Sequence, residues 1–133
     1  GLMGLLLGWA AFPAIMIALL LQGVLFQFGG LTTLGVNTVN MALPAVVCHY
    51  LFRGMIRAEG MKPVALAGFA CGFVSLTLSI VAVAMTLVLT EKAFLVTARV
   101  VLAAHVPVMV IEGLVTAFVV IFLKKVKPEM VGV

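Results

Sequence analysis

Residues 63–89 read PVALAGFACGFVSLTLSIVAVAMTLVL, a run of 27 positions without a charged side chain. A helix needs about 20 apolar residues to cross the roughly 30 Å hydrocarbon core of a bilayer. The run therefore reads as a membrane span with residues to spare. Outward from it, charge collects at the ends of apolar sequence: Arg53, Arg57, Glu59 and Lys62 before it, Glu91 and Lys92 after it, and Lys124, Lys125, Lys127 and Glu129 near the C-terminus. Nothing before Arg53 is charged, and only Arg99 and Glu112 stand inside apolar runs. An ionised group at the bilayer centre costs about 2.5–3.5 kcal/mol on insertion scales, so this distribution is what lipid immersion demands.

Composition closes off the alternatives. The chain is 65% hydrophobic and 9% charged, against about 45–50% and 25% in soluble domains, which excludes a water-facing globular shell. The formal net charge of +4 sits at span ends, where basic residues set topology and meet phospholipid, so nucleic acid is excluded as a partner. Cys48 and Cys71 lie within apolar runs, too far apart for a CxxC clip, and read as buried free thiols.

Three further runs complete an all-α, polytopic integral membrane bundle of about four spans, one transmembrane domain over residues 1–133. Phe12 to Phe28 is a short span, with Trp9 at the interface and Pro13 in the first turn, where a missing N–H costs nothing. Gly29 and Gly30 end it, and Leu31 to Phe52 makes the next. As one helix, Ala93 to Leu123 would be about 47 Å long. Pro107 is expected to divide it into an interfacial helix from about Lys92 to Ala104, from which Arg99 snorkels, and a span from Pro107 to Leu123. The residues before Gly8 read as the end of an earlier helix. With no initiator Met and no signal-peptide n-region, the chain is expected to be the C-terminal part of a longer membrane subunit.

The Arg53 to Lys62 loop and the Lys124 tail carry three basic residues each and are separated by two spans, so the positive-inside rule puts both, and the C-terminus, in the cytoplasm of a prokaryotic cell. Trp9 and Tyr50 then fall at the inner interface, Phe28 and Phe94 at the outer one. Small residues at Ala65, Gly68, Gly72, Ser75, Ser79, Ala82 and Thr86 share one helix face, the pattern by which helices approach closely in lipid. Ala10, Ala14 and Ala18 form a shorter stripe. Each fits packing within the chain or against another membrane subunit.

Two places carry candidate chemistry. GGLTTLGVNTVNMALP, residues 29–44, sets Thr32, Thr33, Asn37 and Asn40 beside Pro44, a helix break of the kind that lines substrate cavities in transporters, or else an asparagine-capped helix start under a surface turn. His105 and Glu112, seven apart, would share a face of an unbroken helix, an argument that Pro107 between them weakens; an ionisable group within the membrane is either functional or a hydrogen-bonded structural residue. No Walker phosphate loop, HExxH helix or GxSxG elbow is present. A catalytic zinc site takes three protein ligands, and these two residues do not complete one, so the chain is not expected to be an enzyme.

Residues 8–53, GWAAFPAIMIALLLQGVLFQFGGLTTLGVNTVNMALPAVVCHYLFR, and 105–129, HVPVMVIEGLVTAFVVIFLKKVKPE, resemble the CbiM/NikM family of energy-coupling factor transporters, and the likeness runs from Gly1 to about Glu129. The resemblance implies the substrate-capture membrane subunit of a cobalt importer that feeds cobalamin biosynthesis, with cobalt(II) as cargo and no bound cofactor; nickel import or a non-transport membrane scaffold are the alternatives. It also implies a membrane coupling subunit, cytoplasmic ATP-binding subunits and a small accessory membrane subunit as partners. The family's metal ligands are an N-terminal Met-His and a His in a Gly-Thr-Ser-x-His segment. Neither occurs in this sequence, and no metal ligand is assigned to it by motif.

Overall fold

A computed structural model describes residues 1–27 and 29–131. Its helices are α1 (Leu2–Leu7), α2 (Ala11–Phe26), α3 (Leu34–Arg57), α4 (Met61–Thr90) and α5 (Leu95–Val126), with 3-10 turns at Gly8–Ala10, Lys92–Phe94 and Pro128–Val131. No strand occurs among the described residues. Four stretches are long and apolar enough to cross a membrane: Leu2–Phe26, Leu34–Arg57, Met61–Thr90 and Lys92–Val126. The expected four-span membrane bundle is therefore what the chain builds. Phe28, expected at the outer interface, lies outside the described residues.

The first of these stretches contains a reversal. Gly8 closes α1 with φ +55, a conformation that favours glycine, and its own N–H returns to the Gly4 carbonyl. Along α3, α1 runs from a contact of Gly4 with the Ala45 backbone to one of Gly8 with the His49 ring. The chain then turns, and Ala11 and Ile15 of α2 climb back to pack on Ala42 and Ala45. So α1 is a helix distinct from α2. Its 16 residues make α2 about 24 Å long, short for a span. Trp9, 63% exposed, stands at this turn.

Neighbours in sequence are neighbours in space: α2 packs on α3, α3 on α4 and α4 on α5, while α1 lies along α3 and touches α4. The most extensive of these contacts is α4 against α5. A Cβ at Gly68 would meet the Ala117 backbone at 2.8 Å, one at Gly72 would meet the Glu112 carbonyl and Thr116 Oγ1 at 2.6 Å, and one at Gly113 would meet the Phe69 ring at 2.9 Å. Ser75 and Ser79 continue the buried face. The small-residue stripe thus packs within the chain. By contrast, Ala10 and Ala18 are exposed and Ala14 is half-buried, so the second stripe is not a contact inside this bundle.

Two proline expectations are corrected. Pro107 does not divide the last run: α5 is one helix of 32 residues with Pro107 inside it, and no separate interfacial helix forms. Pro44 likewise sits within a continuous α3. A proline in a helix interior costs about 3 kcal/mol, whereas ending a helix in hydrocarbon strands several backbone groups at several kcal/mol apiece. Keeping the helix and leaving one carbonyl unpaired is the smaller penalty. Arg99 remains exposed one turn into α5, its stem lining an apolar groove with Leu89, Leu95 and Leu102, which is the snorkelling geometry expected of it.

At the other end of α5, Lys124 Nζ donates to the carbonyls of Ile56 at 3.0 Å and Ala58 at 2.6 Å, capping the C-terminal end of α3. The loop after α3 and the tail after α5 are thereby fixed at the same end of the bundle.

Two outcomes test this packing. Gly72→Leu should lower the melting temperature in detergent sharply or abolish folded yield, because overpacking costs at least about 1–3 kcal/mol, while Leu66→Ile on the exposed face of α4 should be nearly silent. Thr116 Oγ1, in a residue only 1% exposed, has no hydrogen-bond partner among the described residues. Thr116→Val should accordingly range from neutral to about 1 kcal/mol stabilising in a chemical unfolding titration.

Candidate functional site

The polar residues singled out from sequence divide into two sites with different chemistry. At the start of α3, Thr33 is the N-terminal cap residue, but its hydroxyl donates to the carbonyls of Gly29 and Gly30 instead of accepting from the helix. Asn37 Nδ2 donates to the Gly29 carbonyl at 3.3 Å and to Thr33 Oγ1 at 3.2 Å. Thr32 is exposed in the same turn. These groups bond to one another and hold the glycine turn onto a continuous helix, whose first N–H groups receive no side-chain cap from Thr33.

Asn40 leaves this group although it shares the Asn37 face. It is 7% exposed, and its Nδ2 donates to Thr86 Oγ1 on α4 at 3.0 Å. The Thr86 hydroxyl in turn reaches the Ala82 carbonyl at 2.7 Å. A short polar chain therefore ties α3 to α4 at the end of the bundle opposite Lys124.

The second site is a cleft of about 470 Å³ between α1, α2, α3, α4 and α5. Both His105 and Glu112 line it, as their shared face predicts, together with Met3, Met41, Ser75 and Ser79. Helical continuity through Pro107 keeps them on one side. His105 Nδ1 stands 2.8 Å from the Val101 carbonyl, so that nitrogen carries the proton and Nε2 is the free ring nitrogen. Glu112, with its side chain 37% exposed, stands 3.5 Å from the backbone nitrogen of Gly1. Sequence reasoning did not select Met3 and Met41 here, because only the reversal at Gly8 brings the start of the chain to the cleft. Among the described residues no group of three or more His, Cys, Asp or Glu side chains could hold a metal ion. Cys48 and Cys71 are free and buried, and Cys71 Sγ lies 3.9 Å from the Gly1 carbonyl.

Four apolar stretches of spanning length and a surface rich in exposed large apolar side chains define a polytopic integral membrane protein. The model of the CbiM family, described as the cobalt uptake substrate-specific transmembrane region, matches residues 1–130, and the chain belongs to that family. It is 38% identical over 134 residues to a Haemophilus influenzae protein named "Putative metal transport protein", covering 99% of this chain and 65% of that one. It is 29% identical over 138 residues to the cobalt transport protein CbiM of Sorangium cellulosum, covering 98% of this chain and 61% of the relative. A 44-residue segment is 52% identical to the fused nickel transport protein NikMN of Rhodobacter capsulatus, over 32% of this chain and 13% of that one. The chain thus spans less than two thirds of the length of these relatives. No solved structure matches it.

The Asn40–Thr86 tie is tested by a double-mutant cycle with Asn40→Ala and Thr86→Val. Interhelical hydrogen bonds in membranes average about 0.6 kcal/mol with a maximum near 1.7, and a coupling energy in that range is expected from unfolding titrations in mixed micelles. Asn37→Ala, at an exposed turn, should cost less than Asn40→Ala.

Proposed function

We propose that this chain belongs to the membrane substrate-capture subunit of an energy-coupling factor importer for cobalt(II). The observation that carries this reading is the family match over residues 1–130. With no ATP-binding motif in the sequence, energy comes from separate cytoplasmic ATP-binding subunits acting through a membrane coupling subunit, with a small accessory membrane subunit alongside. The cobalt serves cobalamin biosynthesis. Transport by capture and release is not enzymatic chemistry on the ion.

The cleft gives this function a path. His105 Nε2, the Glu112 carboxylate and the thioethers of Met3 and Met41 are nitrogen, oxygen and sulfur donors that divalent cobalt and nickel accept. Spread along a cleft and not closed into one coordination sphere, they suit passage more than tight retention. Thr32, Thr33, Asn37 and Asn40 serve as structural polar residues. Nickel is the second reading, favoured by the 52% identity of one segment to a nickel transport protein. The scaffold reading keeps only the shorter, largely exposed stripe at Ala10, Ala14 and Ala18, since the α4 stripe is filled within the chain.

In this reading the α3–α4 loop and the C-terminal tail face the cytoplasm of the prokaryotic cell membrane. Lys124 supports a common side for both, and their basic residues support the inner side.

Cells expressing the full-length reading frame with its coupling partners should accumulate radioactive cobalt above cells expressing it alone. Glu112→Gln should cut the initial rate several-fold at unchanged membrane abundance, and equal uptake by all strains would reject the transport assignment. For sidedness, cysteines placed at Glu59 and Glu129 should resist an impermeant thiol reagent in intact cells while one at Thr33 reacts. Labelling of the first two from outside reverses the topology.

A further inference from the structure

At the end of the bundle that holds Lys124, α3 presents His49, Arg53 and Arg57 at successive four-residue steps, and therefore on one face. These three line a cavity of about 220 Å³ whose wall includes Leu5 and Leu6 of α1. Neither guanidinium has a carboxylate of the described residues within 4 Å. Like charges one turn apart repel, and a bidentate oxyanion bridging them relieves that repulsion while matching the fork geometry of arginine. Arg53 is already oriented: its guanidinium carbon lies 5.1 Å from the Tyr50 ring centroid.

A second groove, of about 480 Å³, adjoins this cavity and shares Leu6, Glu129 and Met130 with it. Its remaining lining, Leu2, Met3 and Leu7, is apolar. A basic pocket that shares Leu6, Glu129 and Met130 with an apolar groove beside it matches the two parts of an amphiphile. Free phosphate would occupy only the first half. Two arginines and Glu129 leave one net positive charge along the path, which a single phosphodiester neutralises. Basic pockets between membrane helices on the cytoplasmic side are known binding places for acidic lipid headgroups.

We propose that this end of the bundle binds one anionic phospholipid, its phosphate held by Arg53 and Arg57 and an acyl chain lying along Leu2, Leu6 and Met130. The site rests on the inward orientation proposed above, which puts it in the cytoplasmic leaflet. Lipid occupancy would add a bridge between the C-terminal tail and the α1–α3 pair, which already packs backbone to backbone at Gly4 and Ala45.

The test uses the full-length protein purified in detergent, melted in the presence of phosphatidylglycerol, phosphatidylethanolamine, phosphatidylcholine or inorganic phosphate, with native mass spectrometry on the same samples. Phosphatidylglycerol should raise the melting temperature and leave one retained lipid, whereas the other three should do neither. R53Q/R57Q should lose both effects while melting normally in phosphatidylcholine, and Lys125→Gln should keep both. If the double variant does not fold, Arg57→Gln must weaken lipid retention at least several-fold. Equal shifts with the zwitterionic lipids, an equal shift with inorganic phosphate, or retention by R53Q/R57Q each overturns the proposal. Because detergent samples have no inside or outside, failure here leaves the sidedness reading standing, and thiol labelling tests that separately.

Discussion

Close backbone approach between α4 and α5 is the constraint on which the rest of this bundle depends. In lipid there is no hydrophobic force to press one apolar helix against another, so association relies on van der Waals contact and interhelical hydrogen bonds. At Gly68, Gly72 and Gly113 this chain removes side chains so that the two helices can meet, and a carbon atom added at any of the three would lie 2.9 Å or less from the facing helix. That contact sets the rotation of α5 about its axis. In turn the rotation aims His105 and Glu112 into the cleft shared with Ser75 and Ser79.

Much of this was legible in the sequence, and for identifiable reasons. Charge distribution located the spans because the cost of burying an ion in hydrocarbon is large enough to override other preferences. The Gly68 to Ser79 face was readable because small residues at helical spacing have few other uses in lipid. His105 and Glu112 line one cleft because α5 stays helical through Pro107, the continuity that the sequence reading did not expect. The errors lie where one local rule met a stronger global one. Pro107 looks like a helix terminator by the rules of soluble proteins, but in α5 the alternative to a proline-bearing helix is exposed backbone in hydrocarbon.

The turn before α3 was ambiguous for a different reason. Sequence spacing puts Asn37 and Asn40 on one face but says nothing about what stands opposite each. In the fold, Asn37 meets its own turn while Asn40 meets Thr86 from another helix. Likewise, Met3 and Met41 come together at the cleft only through the reversal at Gly8, a long-range consequence of one backbone conformation. Family membership supports the proposed role in metal uptake, and in that reading the polar groups of the cleft are where this chain's own residues take part.

The polar ties of the bundle sit at opposite ends. Asn40 and Thr86 join α3 to α4 at one end, and Lys124 joins α5 to the last turn of α3 at the other. Between these points no polar link joins α3 to α5 among the described residues. Any tilt of α5 about its Lys124 end would have to carry α4 with it, because Gly68, Gly72 and Gly113 leave no space between the two helices. A helix of 32 residues, about 48 Å from end to end, turns a tilt of a few degrees into a displacement of a few ångströms, comparable with the diameter of an ion.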